Sequence, residues 1–277
     1  MRPIEDLINF SVINVNKPSG ILSLEVDKKI RKIFHVKKVG HAGTLDPKAS
    51  GVLVVAMGEA TKILGILMNS DKEYEGVIHL HKDVERDKIE KVVKEKFIGE
   101  IIQTPPLRSR VSRKPRKRVV YSFNILEKNG KEVKFKCQVE AGTYIRKLVH
   151  DIGLELGVGA HLKYLKRIRS GKFSIENSYT IQEIERAFSK WEKGNESELS
   201  KILIPIEEAL DIKKVKIKEK SIPRMMSGKN IRLKDLLEKV KIKPGERVGI
   251  LSPSGYMIGL GLVKSWNKIK TDRVFNY

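Results

Sequence analysis

Two runs that alternate apolar and polar residues, together spanning positions 119–140, flank the dipeptide Asn129-Gly130. Alternation with a period of two turns one face of each run toward a core, and Asn-Gly is favoured where a two-residue turn needs positive φ. This stretch is therefore predicted to be an antiparallel hairpin. The flanking sequence extends it into a domain. Residues 11–15, 52–56 and 74–80 read as strands, with the turn Lys17-Pro18-Ser19-Gly20 after the first. Val26, Ile30 and Ile33 recur at helical spacing, with Ser23 placed to cap that helix. Ile89, Val92, Val93 and Phe97 mark an amphipathic helix. Further helices are predicted over about 60–68, 144–156 and 181–191, with a basic strand region running through to residue 175. The expected class is α+β: a mostly antiparallel mixed sheet with flanking helices.

Residues 194–201 are polar and aperiodic, as an exposed connection would be. Beyond Leu210 the pattern changes to short strands, Gly228, and a hairpin formed by 247–251 and 256–263 around Ser252-Pro253-Ser254-Gly255. That is the pattern of a small β-rich domain. The division is placed at 1–209 and 210–277, and no long internal repeat is visible.

Lys and Arg outnumber Asp and Glu by 56 to 34, a formal net charge of +22. An excess of this size points to nucleic acid, because each cation near a phosphate releases a condensed counterion. A highly charged surface from a hot or salty habitat is the plainer explanation. Cys137 is the only cysteine, which excludes a disulfide framework and a cysteine-based metal site. It lies in an alternating run, where a small buried apolar residue is expected. No stretch approaches the roughly 20 apolar residues of a membrane span, and the N-terminus is unlike a signal peptide. A soluble, intracellular protein without membrane contact is expected.

The stretch Gly40-His41-Ala42-Gly43-Thr44-Leu45-Asp46-Pro47 carries the chemistry. Two glycines allow a tight loop, Pro47 fixes the backbone just after a carboxylate, and the apolar run from Gly51 anchors the loop to a core. An isolated Asp-Pro is usually a turn starter. This one is not isolated. The octapeptide resembles the active-site motif of the TruB and dyskerin family of pseudouridine synthases. In the same order, Lys17-Pro18-Ser19-Gly20 resembles that family's first motif, Lys72-Glu73-Tyr74 its tyrosine motif, and Gly142-Thr143-Tyr144-Ile145-Arg146 with Asp151-Ile152-Gly153 its arginine motif. Gly159-Ala160-His161-Leu162 through Gly171-Lys172-Phe173 matches the segment that follows.

The resemblance implies a pseudouridine synthase fold and assigns roles. Asp46 would be the catalytic carboxylate, acting on the sugar or on the base. Tyr74 would stack on the target base and help remove the ring proton, although an aromatic in a strand is also ordinary core. Arg146 would pair with Asp46 and orient it; a phosphate contact or a solvated helix face is the other reading. Leu165 would form part of the apolar floor, as would any core leucine. His41 has the chemistry of a general base, but the resemblance assigns it to shaping the loop or inserting near a flipped base. Isomerisation needs no oxidation or group transfer, so no metal and no organic cofactor are expected.

His79-Leu80-His81, followed closely by a helix and then by Gln103-Thr104-Pro105-Pro106-Leu107-Arg108-Ser109, resembles the dyskerin branch, which includes the archaeal catalytic subunits of H/ACA ribonucleoproteins. Bacterial tRNA enzymes of the family usually carry a longer insertion before Pro105. Residues 108–118 are basic, and Arg113, Lys114, Arg116 and Lys117 are candidate RNA contacts; a solvated charge run is the alternative. Met225-Met226-Ser227-Gly228 and Lys243-Pro244-Gly245-Glu246-Arg247-Val248 resemble a PUA domain, making 210–277 PUA-like. Residues 21–26, Ile-Leu-Ser-Leu-Glu-Val, depart from the family's usual Pro-Thr-Ser-His-Glu-Val. The implied function is guide-RNA-dependent isomerisation of uridine to pseudouridine in ribosomal RNA, in an archaeal cytoplasm. The implied partners are H/ACA guide RNA, substrate rRNA or tRNA, and three small H/ACA proteins: one zinc-ribbon-like, one Gar-type β-barrel and one that binds kink-turns. A guide-free tRNA enzyme acting in the TΨC arm and a non-catalytic RNA scaffold are the alternatives.

Overall fold

The computed structural model describes residues 2–105 and 114–276. The hairpin forms from Arg116–Asn129 and Glu132–Val139, with Asn129 paired to Glu132. Its turn is Gly130-Lys131, one residue later than the Asn-Gly pair indicates. Only the first turn residue has positive φ (Gly130, 52°), so glycine supplies the whole requirement and Asn129 stays in the strand.

Among the described residues, ten strands build one sheet: β1 (Ser11–Lys17), β2 (Val39–His41), β3 (Ser50–Met57), β4 (Lys72–Leu80), β5 (Gly99–Gln103), β6 (Arg116–Asn129), β7 (Glu132–Val139), β8 (Ala160–Ser170), β9 (Phe173–Ser174) and β10 (Ile204–Pro205). Their order is β10-β1-β3-β8-β4-β7-β6-β5, with β2 beside β3 and β9 beside β8. All strand pairs in this sheet are antiparallel except β3 with β8, which run parallel where Ser50 faces Lys166 and Gly51 faces Arg167. β3 reads as an unbroken apolar run because both of its faces are covered. On one side Leu53 and Val55 pack with Val26, Ile30, Ile184 and Phe188, from the helices Ser23–Ile33 and Ile181–Glu192. On the other, Val52 and Val54 join Leu251, Met257, Leu260 and Phe275. A third core lies under β4, β6, β7 and β8, covered by the helices Arg86–Lys96 and Ile145–Glu155. Cys137 is fully buried there, and burial pushes its thiol well above its ordinary pKa.

Three local expectations change. Ser23 is the first residue of its helix and does not cap it; the Glu25 carboxylate accepts the Leu22 N–H instead, at 2.7 Å. The segment predicted as a helix over 60–68 is a 3₁₀ turn, Gly58–Ile63, that widens into the short α-helix Leu64–Leu67. Within it the Thr61 hydroxyl donates back to the Gly58 carbonyl at 2.7 Å. The polar stretch 194–201 ends in the helix Leu199–Ile202, whose Leu199 is fully buried.

Beyond residue 212, a five-stranded sheet contains β11 (Lys213–Lys216), β12 (Ile231–Arg232), β13 (Arg247–Leu251), β14 (Met257–Ser265) and β15 (Lys268–Val274), in the order β11-β13-β14-β15-β12. It has its own core around Val215, Ile231, Val248, Ile250 and Ile269, and it is also fastened to the large sheet. Lys62 Nζ donates to the Val274 carbonyl at 2.7 Å, and Glu59 accepts the Asn276 N–H at 2.8 Å. Arg2 lies between the Phe10 and Tyr256 rings and pairs with Glu207 at 2.6 Å. Glu207 in turn accepts the Met257 N–H. Among the described residues no helix is long and apolar enough to cross a membrane.

Candidate active site

The 40–51 loop leaves the sheet at β2 and returns at β3, with the Ala42 N–H on the Val54 carbonyl at 2.8 Å. Its backbone is then gripped from several sides. The Ser23 hydroxyl donates to the Leu45 carbonyl at 3.0 Å and accepts the Leu45 N–H at 2.9 Å. Gly20 N–H reaches the Pro47 carbonyl at 2.8 Å, and the Ser19 hydroxyl the Lys48 carbonyl at 2.8 Å. From below, Lys17 Nζ donates to the carbonyls of Ala49 (2.7 Å) and Pro47 (3.3 Å). Arg167 donates to those of Val52 (2.7 Å) and Gly43 (2.9 Å).

Lys17, Lys72 and Arg167 are all buried, and a buried cation is tolerable only when polar groups replace its water. Here backbone carbonyls do so; Lys72 Nζ reaches those of Met68 (2.6 Å) and Ser70. Burial, reinforced by the charge of Arg167 and opposed by Asp71, pushes the Lys72 pKa down to about 8. Lys17 is lowered by burial and by Arg167, against the pull of Asp46 and Glu25. Close packing of β3 on β8 sets the position of Arg167. Gly51 has φ +99°, and a Cβ there would lie 2.2 Å from the Arg167 carbonyl oxygen, so only glycine allows this approach.

Asp46 stands on top of this loop with its side chain about half exposed (48%), in an ion pair with the equally exposed side chain of Arg146 (53%). Arg146 is the second residue of the helix Ile145–Glu155. The start of that helix is fixed by the buried side chain of Gln103, which accepts the Tyr144 N–H at 3.0 Å and donates to the Tyr144 carbonyl at 3.2 Å. Tyr74 and Leu165, each buried, lie on β4 and β8 and belong with Leu45 and Ala49 to one apolar cluster. A reachable carboxylate and its arginine therefore sit on a loop that is anchored in this cluster by Leu45 and Ala49 and whose backbone has little freedom.

Asp46 and Arg146 are thus paired from two separate segments, while Tyr74 and Leu165, from two more, share an apolar cluster with Leu45 and Ala49 on either side of Asp46 in the loop. His41 is on the same loop with both ring nitrogens engaged, Nδ1 with Asp27 at 2.7 Å and Nε2 with Thr44 at 3.0 Å. Lys114, Arg116 and Lys117 are exposed, and Lys117 pairs with Glu100 at 2.8 Å. Arg113 lies outside the described residues. Among the described residues no three His, Cys, Asp or Glu side chains are grouped to hold a metal ion.

Sequence reasoning passed over Lys17, Lys72 and Arg167 as supports of the site, yet a signal was present. Lys17 is in phase with Ile13 and Val15, Lys72 with Tyr74, Ile78 and Leu80, and Arg167 with Leu165. Each is a cation on the buried face of its strand. Ser23 and Gln103 carry no comparable signal.

The family described as "TruB family pseudouridylate synthase (N terminal domain)" matches residues 31–95, and "tRNA pseudouridylate synthase B C-terminal domain" matches 146–211. A Nanoarchaeum equitans protein named "Probable tRNA pseudouridine synthase B" is 46% identical over 94% of this chain and 75% of its own length. The chain belongs to the TruB family of pseudouridylate synthases. It is an RNA pseudouridine synthase. A Methanopyrus kandleri protein of the same name is 43% identical, covering 97% of this chain and 80% of that one. Among solved structures, a Cbf5-Nop10-Gar1 complex matches with a TM-score of 0.88 and 42% identity, over 98% of this chain and 86% of that chain. An H/ACA RNP bound to a substrate RNA containing 2'-deoxyuridine matches with a TM-score of 0.87 and 40% identity, over 100% of this chain and 88% of that one. The architecture is accordingly the pseudouridine synthase fold with a PUA domain.

Proposed function

We propose that this TruB-family chain isomerises uridine in ribosomal RNA under the direction of an H/ACA guide RNA, with Asp46 as its catalytic carboxylate. The observation that carries the assignment of Asp46 is its ion pair with Arg146, on a loop whose Leu45 and Ala49 belong to the apolar cluster of Tyr74 and Leu165. In the reaction the N1–C1' glycosidic bond breaks, the detached uracil turns, C5 bonds to C1', and the proton on C5 is lost while N1 gains one. Asp46 acts either at C1' of the sugar or by adding to the ring; both routes need a carboxylate that the flipped nucleotide can reach. Arg146 orients it, Tyr74 holds the base and assists removal of the C5 proton, and Leu165 closes the floor. His41 shapes the loop.

The guide-directed part rests on the likeness to the Cbf5-Nop10-Gar1 and H/ACA RNP structures over nearly the whole chain. By that likeness the partners are a guide RNA, a substrate RNA and small proteins; the resemblance of the motifs adds that these are a zinc-ribbon-like one, a Gar-type one and a kink-turn binder. Residues 1–209 would carry the chemistry and 210–277, as a PUA-like unit, would hold the guide. A cleft lined by Arg224, Arg232, Lys234 and Lys268, with Asn230 and Asn267, offers cations for this purpose. Because Leu251, Met257, Leu260 and Phe275 share a core with the large sheet, this role is tested by substitutions in the cleft rather than by truncation.

A second reading, a guide-free enzyme acting on the TΨC arm of tRNA, is favoured by the relatives' name, tRNA pseudouridine synthase B. The two separate in one assay. The chain is supplied with a guide and matched rRNA fragment, the same fragment without guide, and unmodified tRNA. Turnover of the fragment only with guide supports the first reading. Turnover of tRNA alone, with no guided activity after the small proteins are added, replaces it with the second.

A further inference from the structure

The helix Ser23–Ile33 holds the 40–47 loop at two points, through residues four apart on one face. Ser23 brackets the backbone of Leu45, and Asp27 meets the side chain of His41. Asp27 is only 7% exposed, and its Oδ2 lies 2.7 Å from His41 Nδ1. Its other oxygen, Oδ1, is buried and makes no hydrogen bond among the described residues. An aspartate hidden this deeply, with one oxygen idle, is costly to keep for packing alone. The group it meets is the imidazole. An ionised carboxylate only accepts, so Nδ1 must carry the proton, and Nε2 is left facing the Thr44 hydroxyl at 3.0 Å. The chain Asp27–His41–Thr44 thereby closes the loop on itself, two residues before Asp46.

We propose that Asp27 is a positioning residue for the isomerisation, fixing the tautomer and ring plane of His41 so that the loop presents Asp46 and the imidazole edge to the flipped nucleotide in one arrangement. This rests on reading 40–47 as the active-site loop. The logic is that of the carboxylate that orients a metal-bound histidine, whose loss typically costs about tenfold to a hundredfold in metal affinity or activity; the same order is expected here.

The test uses Asp27→Asn in the full chain, assayed on whichever RNA the wild-type chain turns over. The amide keeps the volume but can present N–H to Nδ1, which selects the opposite tautomer. On the alkaline side of the imidazole titration, ¹⁵N spectra of the wild-type chain should show His41 protonated at Nδ1 and bare at Nε2, and Asp27→Asn should reverse this. Its single-turnover rate should fall about tenfold with RNA affinity unchanged. The losses from Asp27→Asn and His41→Gln should not multiply when combined, because the two act as one unit. A wild-type His41 bare at Nδ1 would overturn the proposal even if Asp27→Asn failed to fold. So would a full rate in Asp27→Asn, or multiplied losses in the double variant. Asp46→Asn is run alongside. Turnover surviving that change removes the reading of the loop itself, whereas an inactive Asp46→Asn beside a fully active Asp27→Asn removes only the role of Asp27.

Discussion

The Arg167 guanidinium donates to the Gly43 carbonyl at 2.9 Å, joining a strand in the middle of the sheet to the loop that carries Asp46. With Lys17 and Ser23 it makes the loop backbone part of the core, while the Asp46 side chain stays half exposed. Rigidity and access, which usually oppose each other, are separated here between backbone and side chain.

Asp46→Asn keeps the size of the side chain and removes its charge. Pseudouridine formation should vanish in a single-turnover assay while RNA affinity stays within a few-fold. Arg146→Lys should also fail badly, because an ammonium cannot reproduce the planar, multi-donor grip of a guanidinium. A loss of about a hundredfold is expected, the usual consequence of misplacing a reacting group by an ångström. Near-normal turnover in either variant would take that residue out of the chemistry.

Arg167→Met fills most of the same volume but leaves the carbonyls of Val52 and Gly43 without their donor. Each buried unpaired carbonyl costs about 1–3 kcal/mol, offset in part by relief of a buried charge. A net loss of about 3 kcal/mol should appear in denaturant unfolding, and activity should fall at temperatures where the protein is still folded. Unchanged stability would mean that water replaces the guanidinium without cost.

Lys72 supplies a pH signature. Below about 8 it is protonated in the folded and the unfolded chain alike, and its buried charge costs stability. Between about 8 and the ordinary 10.5 the folded chain has released the proton and the unfolded chain keeps it, so its contribution improves as pH rises. The gain is on the order of 3 kcal/mol across that window. The stability of the wild-type chain minus that of Lys72→Met should therefore climb with pH through this range. A flat difference would show Lys72 to be solvated. Adding Arg167→Met should narrow the window, since Arg167 is one cause of the lowered pKa.

Changing Arg113, Lys114, Arg116 and Lys117 to Ala should weaken binding to all RNA sequences alike. The log–log salt slope should flatten by about 0.7 to 0.9 for each phosphate that is no longer neutralised. Lys117 should contribute least, because Glu100 already holds it at 2.8 Å. Affinity measured over a salt series decides this, and an unchanged slope returns the run to ordinary solvated surface.

What the sequence determined by itself was whatever depends on short-range pattern. Alternation in 119–140 specifies the hairpin, helical spacing in 26–33 and 181–191 specifies two helices, and the order of the motifs around Asp46, Tyr74 and Arg146 specifies the family. Even there, the choice between Asn129-Gly130 and Gly130-Lys131 was made by strand pairing, because register depends on both strands at once. Only the tertiary structure decided how the loop is held. Ser23 looks like a helix cap because serine before a helical run usually is one, but its hydroxyl is taken by Leu45, 22 positions away. Lys17 and Arg167 look like solvated cations, since charge is normally excluded from a core. They become supports of the site only because β3 pairs with β1 on one side, where Lys17 faces Gly51, and with β8 on the other, where Arg167 faces the same residue, which brings distant carbonyls within reach. The phase of Lys17 and Arg167 in their strands marks them as buried, but not their partners: a hydrogen bond across 22 to 124 positions alters neither partner's neighbours in the chain.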